Sequence, residues 1–177
     1  DLVAVPRRFA EPFATFCERN QRACPVLDVV AWDAPSGESS QRWGTRLARD
    51  ADVRLDCPRY RVFRVGEKPA EARGSELASE WERHDAVAFL LGCSFSWEQR
   101  LIDEGLTDLN DPAGNRNVPM FRTTVANAAV GPFAGHLVVS YRRYARREAE
   151  RVKAITAEYP SAHGAPVHDG DPALLGI

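Results

Sequence analysis

The chain has 177 residues, 44% of them hydrophobic and 27% charged, with a formal net charge of −2. That length can bury a core of its own, so neither a disordered chain nor a disulfide scaffold is expected. The near-neutral charge argues against a nucleic-acid binder, and no apolar run approaches the ~18 residues a transmembrane helix needs.

Leu2–Val5 is a short apolar run ended by Pro6 and predicts a strand. From Arg7 to Arg19, Phe9, Phe13, Phe16 and Cys17 recur at helical spacing and form a core-facing stripe. Cys24–Ala31 predicts a second strand. Asp33–Asp50, with Pro35, Gly37, Ser39 and Ser40, reads as an exposed connection and as the candidate internal boundary of an otherwise single domain. Arg59–Val65 is rich in aromatic and β-branched residues and predicts a strand closed by Gly66. Ser75 caps a predicted helix reaching Arg83.

Asp85–Leu91 (DAVAFLL) is nearly all apolar, as a strand covered on both faces would be. Gly92-Cys93-Ser94 then turns the chain into a predicted helix over Ser96–Glu104. Ser96 and Gln99 stand in capping-box relation there, and Gly105 stops the helix. Leu109–Asn117 is a predicted loop. Met120–Val125 and His136–Ser140 are predicted strands on either side of a turn at Gly131–Gly135. Arg143–Glu158 predicts a helix that turns Ala145, Ala149, Val152 and Ile155 to the core. Tyr159–Gly164 is a turn, Ala165–His168 a short strand and Gly170–Pro172 a further turn. Strands alternating with helices predict an α/β fold, a mixed sheet flanked by helices.

The 23 basic residues include only two lysines, Lys68 and Lys153. A high-GC coding bias accounts for that; arginine is nonetheless the better residue for two-pronged carboxylate binding. The cysteines are Cys17, Cys24, Cys57 and Cys93, in no zinc-binding spacing, and with no visible leader they are expected as reduced thiols in the cytoplasm. No dinucleotide, P-loop, zinc-protease or nucleophile-elbow motif occurs.

Four segments carry candidate chemistry. In FLLGCSFSWE (Phe89–Glu98) a buried strand turns into a helix. Cys93, Ser94 and Ser96 stand where helix N–H groups favour an anion and lower a thiol's pKa, though they also suit a small buried thiol and simple caps. In VRLDCPRYRVFR, Arg59 and Arg61 share a strand face and can hold a carboxylate, or lie on a solvated edge. In NVPMFRTT, Arg122 interrupts an apolar stretch and is expected to pair with a carboxylate or a ligand. In HGAPVHDGD, His163 and His168 are candidate proton carriers, with two ordinary turn histidines as the alternative. His163, His168, Asp169 and Asp171 can also be read as metal ligands, but their spacing matches no standard set, so no metal or cofactor is expected.

The phrases FCERN-x₃-CP, ADVRLDCPRYRVFRVGE, VAFLLGCSFSWE, NVPMFRTT, HLVVSYR and AHGAPVHDGDP, in this order, resemble the D-glutamate cyclase family, whose bacterial members carry the label hydro-lyase. The resemblance implies an α/β fold with a smaller α+β sub-domain. It also implies conversion of D-glutamate to 5-oxo-D-proline and water, a reaction of D-amino acid metabolism.

On that reading Cys93, His163 and His168 are catalytic candidates. Arg59, Arg61, Ser94, Ser96 and Arg122 would bind the substrate. The partner is a small carboxylate, with no nucleic acid or membrane involved and a homo-oligomer left open. The alternatives are a non-catalytic carboxylate-binding protein on the same fold, or a lyase for another small carboxylate. Family members extend beyond both ends of the match. The chain opens on Asp1 and has its one methionine at Met120, so it reads as a section of a longer protein.

Overall fold

The computed structural model describes residues 1–30, 48, 50–57, 59–111 and 117–177. Its order of elements is β1 (Leu2–Pro6), α1 (Ala10–Arg19), β2 (Val26–Val30), β3 (Tyr60–Val62), β4 (Ala70–Ala72), α2 (Gly74–His84), β5 (Ala86–Leu91), α3 (Phe95–Asp103), β6 (Met120–Ala126), β7 (His136–Ser140) and α4 (Ala149–Ala157). The fold is α/β. The chain divides into two compact units: Leu2–Glu11 with Leu27–Leu90, and Pro12–Val26 with Leu91–Ile177 and Asp1. The expected boundary near 33–50 falls largely on residues outside the described ones.

The first unit is built on a three-stranded sheet in the order β1-β5-β2. β1 and β5 are antiparallel, with Val5 opposite Val87 and Val3 opposite Phe89. Ala86 to Phe89 are all buried, which explains why the sequence there is continuously apolar rather than alternating. Trp81 of α2 packs with Val30, Val53, Leu77 and Ala88, and its indole N–H donates to Ala86 O at 3.0 Å. The hairpin β3–β4 adds Tyr60, whose ring meets Trp81 edge-on at 5.7 Å. The strand is shorter than the predicted 59–65, since pairing stops at Val62 and Phe63 is exposed. α2 starts at Gly74 after an extended Arg73, so Ser75 lies inside the helix, and Arg73 stands at the cap position without a side-chain bond.

The second unit packs α3 on α4. Trp97, Leu101, Leu106, Val152, Ile155 and Ala162 form its core, with Tyr144 and Tyr159 against it. α4 is shorter than predicted: residues 146–148 form a 3-10 turn, and the helix proper begins at Ala149. Val152 and Ile155 face the core, whereas Ala145 and Ala149 are only half-buried. Phe13 and Phe16 of α1 meet Phe133 at 5.0 and 6.1 Å between ring centres. β6 and β7 form an antiparallel hairpin with an irregularity between Arg122 and Ala126. Residues 165–168 are not a strand; they form bends beside the 3-10 turn Pro160–Ala162.

Candidate active site

Three stretches of the second unit meet, and two of them belong to chemical segments read from the sequence. The first is the turn after α1, residues 20–25. The second is the β5–α3 corner at Gly92–Trp97. The third is the loop Tyr159–Ala165, which follows α4.

The corner is held by main chain. Gly92 N–H donates to Pro25 O at 2.9 Å. On its other side Gly92 presses on the third stretch, where a Cβ would lie 1.7 Å from the Ser161 carbonyl oxygen. No side chain fits there, so glycine is required for steric reasons. One helical turn on, the buried Trp97 donates its indole N–H to Ala162 O at 2.9 Å. Cys93 and His163 are therefore each the next residue after a packed contact between the same two stretches, and both are half-buried.

His163 is the most unusual residue of the loop. Its backbone is left-handed, at φ 75° and ψ −15°. A side chain other than Gly, Asn or Asp rarely adopts this, and it costs of order 1–3 kcal/mol where it occurs. The loop imposes it: Gly164 N–H reaches back to Tyr159 O at 3.0 Å and closes the turn. Nδ1 of His163 lies 2.9 Å from Arg22 O. A carbonyl only accepts, so Nδ1 carries the proton, and the lone pair of the neutral ring is on Nε2. Arg22 in turn donates through its guanidinium to Ala165 O. Gln21, Arg22, Ala157, Pro160, His163, Gly164 and Ala165 line a cavity of about 300 Å³.

Behind the corner stands Arg142, a residue the sequence reading did not single out. Its side chain is only 9% exposed. Its guanidinium donates to Ser140 Oγ at 2.6 Å, to Ser94 Oγ at 3.0 Å and to Glu98, and it covers the Trp97 ring at 4.7 Å. Ser94 is the residue before α3, yet its hydroxyl accepts from Arg142 instead of capping the helix. Ser96 is exposed inside the first turn, and Gln99 bonds Asp103 at 2.8 Å rather than closing a capping box. The N–H groups of Ser96 and Trp97 donate to Cys93 O and Ser94 O, at 3.0 and 3.1 Å. The signal for Arg142 was present as an arginine two residues past the apolar strand HLVVS.

The other sequence candidates lie elsewhere. His168 Nε2 is 2.9 Å from Asp171 O within its own loop. Asp169 is bound by Lys153 at 2.5 Å. Among the described residues no three His, Cys, Asp or Glu side chains group as a metal site would. Arg122 is exposed on β6, because the hairpin leaves that face open; the burial expected from its apolar neighbours does not occur. Arg59 and Arg61 belong to the first unit and are both exposed. Arg59 lies 3.6 Å from Glu71, and Arg61 stands outward on β3 between the half-buried Tyr60 and Val62.

The profile of the family described as D-glutamate cyclase matches residues 87–177, from the second residue of β5 to Ile177. The chain belongs to the D-glutamate cyclase family. Three relatives are each named "Putative hydro-lyase". One from Pseudomonas aeruginosa strain UCBPP-PA14 is 45% identical over the whole chain and 63% of its own length. One from Bordetella pertussis strain Tohama I is 44% identical, over the whole chain and 60% of its own length. One from Geobacillus kaustophilus is 41% identical, over the whole chain and 63% of its own length. The chain thus spans less than two thirds of the relatives it matches. The family match takes in Gly92, Cys93, Trp97, Arg142 and His163. No helix among the described residues is long and apolar enough to cross a membrane.

Proposed function

We propose that the protein containing this chain is a hydro-lyase that cyclises D-glutamate to 5-oxo-D-proline, with the cavity beside His163 as its site. The observation that carries the reading is His163 itself. A histidine held in a costly backbone conformation, with one ring nitrogen fixed on a carbonyl, lines a cavity of about 300 Å³, which suits a small ligand.

Cyclisation forms a C–N bond between the α-amine and the γ-carbon and breaks one γ C–O bond. The ammonium gives up two protons, and the departing oxygen needs two to leave as water. One group that accepts and then donates serves both transfers, and Nε2 of His163 fills that role. No external activation is required, because the nucleophile and the electrophile belong to one molecule and close a five-membered ring. The Arg22 guanidinium on the cavity wall supplies positive charge for the α-carboxylate. Cys93, the residue after the Gly92–Ser161 contact, is assigned as a weak acid for the γ-carboxyl, and Ser94 stands beside it with its hydroxyl on Arg142. Ser96, Arg59, Arg61, Arg122 and His168 stand as further candidates that do not line this cavity.

The test is incubation of the full-length protein with D-glutamate, with the lactam followed by NMR. Turnover by the wild type that falls at least about 100-fold in His163→Asn is expected, the lower end of what general acid–base catalysis contributes. Absence of lactam from D-glutamate and from related amino acids would refute the reading.

A further inference from the structure

The turn after α1 holds a second sulfur centre that the proposed reaction does not use. Cys17, in the last turns of α1, is 1% exposed, whereas Cys24, just past the turn, is partly exposed. Asn20 N–H donates to Cys17 O at 3.1 Å, and Asn20 O accepts from Ala23 and Cys24 N–H at 2.9 Å each. These bonds fold the chain back on itself and bring the two thiols close enough to interact. Both thiols are free. The Cys17 S–H is the donor: its bond holds the Cys24 thiol down at about 7, while the same bond and burial push Cys17 up. A thiol so held is the more reactive nucleophile of the two, and it is also the one a small molecule can reach.

We propose that Cys24 and Cys17 are an oxidative modification site, converted by a hydroperoxide into an intramolecular disulfide with Cys24 as the attacking sulfur and Cys17 as the resolving one. The Cys24 thiolate attacks a peroxide oxygen. The O–O bond breaks, Cys24 becomes a sulfenic acid, and the departing oxygen leaves as water with the proton the thiol gave up. Cys17 then attacks the Cys24 sulfur. The S–O bond breaks, and the hydroxide leaves as a second water with the Cys17 proton. Two thiols are oxidised by two electrons in all, and hydrogen peroxide is reduced to two waters.

The stapled turn carries Arg22, whose carbonyl positions His163, and Pro25, whose carbonyl holds Gly92. Oxidation therefore acts on the segment that shapes the cavity wall. The modification itself does not depend on what reaction the cavity performs.

The experiment uses the reduced full-length protein exposed to hydrogen peroxide, alkylated under denaturing conditions, cut with trypsin and mapped by mass spectrometry. Arg19 and Arg22 lie between the two cysteines, so trypsin leaves them on separate peptides that only a disulfide can join. The expected result is a linked Cys17–Cys24 pair that appears before Cys57 or Cys93 is modified and that dithiothreitol reverses. In Cys17→Ser a dimedone adduct accumulates at Cys24, and in Cys24→Ser neither product forms. Oxidation of wild-type Cys24 to sulfinic or sulfonic acid without a linked peptide, or earlier oxidation of Cys93, overturns the proposal. The wild-type map decides the matter even if a variant fails to fold.

Discussion

His163 combines two demands that pull apart. Its side chain lines the cavity proposed as the site, and its backbone, at φ 75°, serves only the turn it sits in. Substitutions that ease the backbone should therefore remove activity without harming the fold. His163→Gly is expected to stabilise the protein by about 1 kcal/mol, the lower end of what such a conformation costs, and to abolish lactam formation. Thermal unfolding and NMR turnover on the same preparation check it; a drop in stability together with lost turnover would make His163 structural. Gly92 makes the opposite demand. Gly92→Ala forces a methyl group onto the Ser161 carbonyl, and the backbone there cannot yield as a flexible side chain would. A loss of about 1–3 kcal/mol is expected, as for overpacked interiors, with lower turnover because the corner and the His163 loop are pushed apart. Denaturant titration of the variant measures it.

At the scale of elements, the corner stays in place because α3 is tied from both sides. Trp97 fastens it to Ala162, and Arg142 fastens it through Glu98 and Ser94. Removing Arg142 leaves Glu98 and two hydroxyls without their donor and uncovers the Trp97 ring. Arg142→Ala is expected to cost about 3 kcal/mol, in the range for charged hydrogen bonds and broken buried pairs. Arg142→Lys should recover only part of it, since an ammonium cannot reproduce the fork or the stacking; urea midpoints of the two variants compare them.

The far end of α3 is tied to α4 differently. Glu104 accepts from Arg151 at 2.5 and 2.6 Å and lies 2.9 Å from Arg100. Arg151 first, and Arg100 after it, hold the Glu104 carboxyl below its ordinary value of 4.5. A carboxyl depressed in the folded state stabilises that state above its unfolded pKa, and the contribution fades as pH falls through the folded value. Thermal midpoints should decline as pH drops below about 4.5, and Glu104→Gln should make that decline shallower. A Gln variant with an unchanged acid slope would show that the pair contributes nothing.

At the scale of the whole molecule, what could be read in the sequence followed from how local its cause was. The apolar run at Ala86–Leu91 and the stripe on α1 carry their burial in their own spacing; the strand forms there, while the helix starts at Ala10, after a 3-10 turn over Arg7–Phe9 that leaves Phe9 half-buried. Helix starts were harder. Ser75 and Ser96 have the right side chains for caps, but Arg73 and Ser94 stand at those positions, and the Ser94 hydroxyl is taken by an arginine 48 positions away in sequence. Arg142 and the turn at residues 20–25 were missed for the same reason, since their partners come from distant stretches. Arg122 shows the reverse error: an apolar neighbourhood in sequence implied burial, and the hairpin leaves Met120, Phe121 and Val138 exposed beside it. Cys93 and His163 were singled out because a strand–turn–helix corner and a glycine-rich histidine loop are visible signatures, whereas the convergence of their two stretches through Gly92 and Ser161 is not.

Each unit buries one indole among the described residues, Trp81 in the first and Trp97 in the second. That makes the chain its own optical instrument. With Trp32, Trp43 and Trp81 replaced by Phe, the remaining emission comes from Trp97, a ring with a guanidinium 4.7 Å above it and its N–H on the loop that carries His163. Such a protein should emit at short wavelength when folded, and should shift or brighten when a ligand or an oxidant disturbs the corner. The signal needs no added dye, and it comes from one hydrogen bond away from the cavity loop.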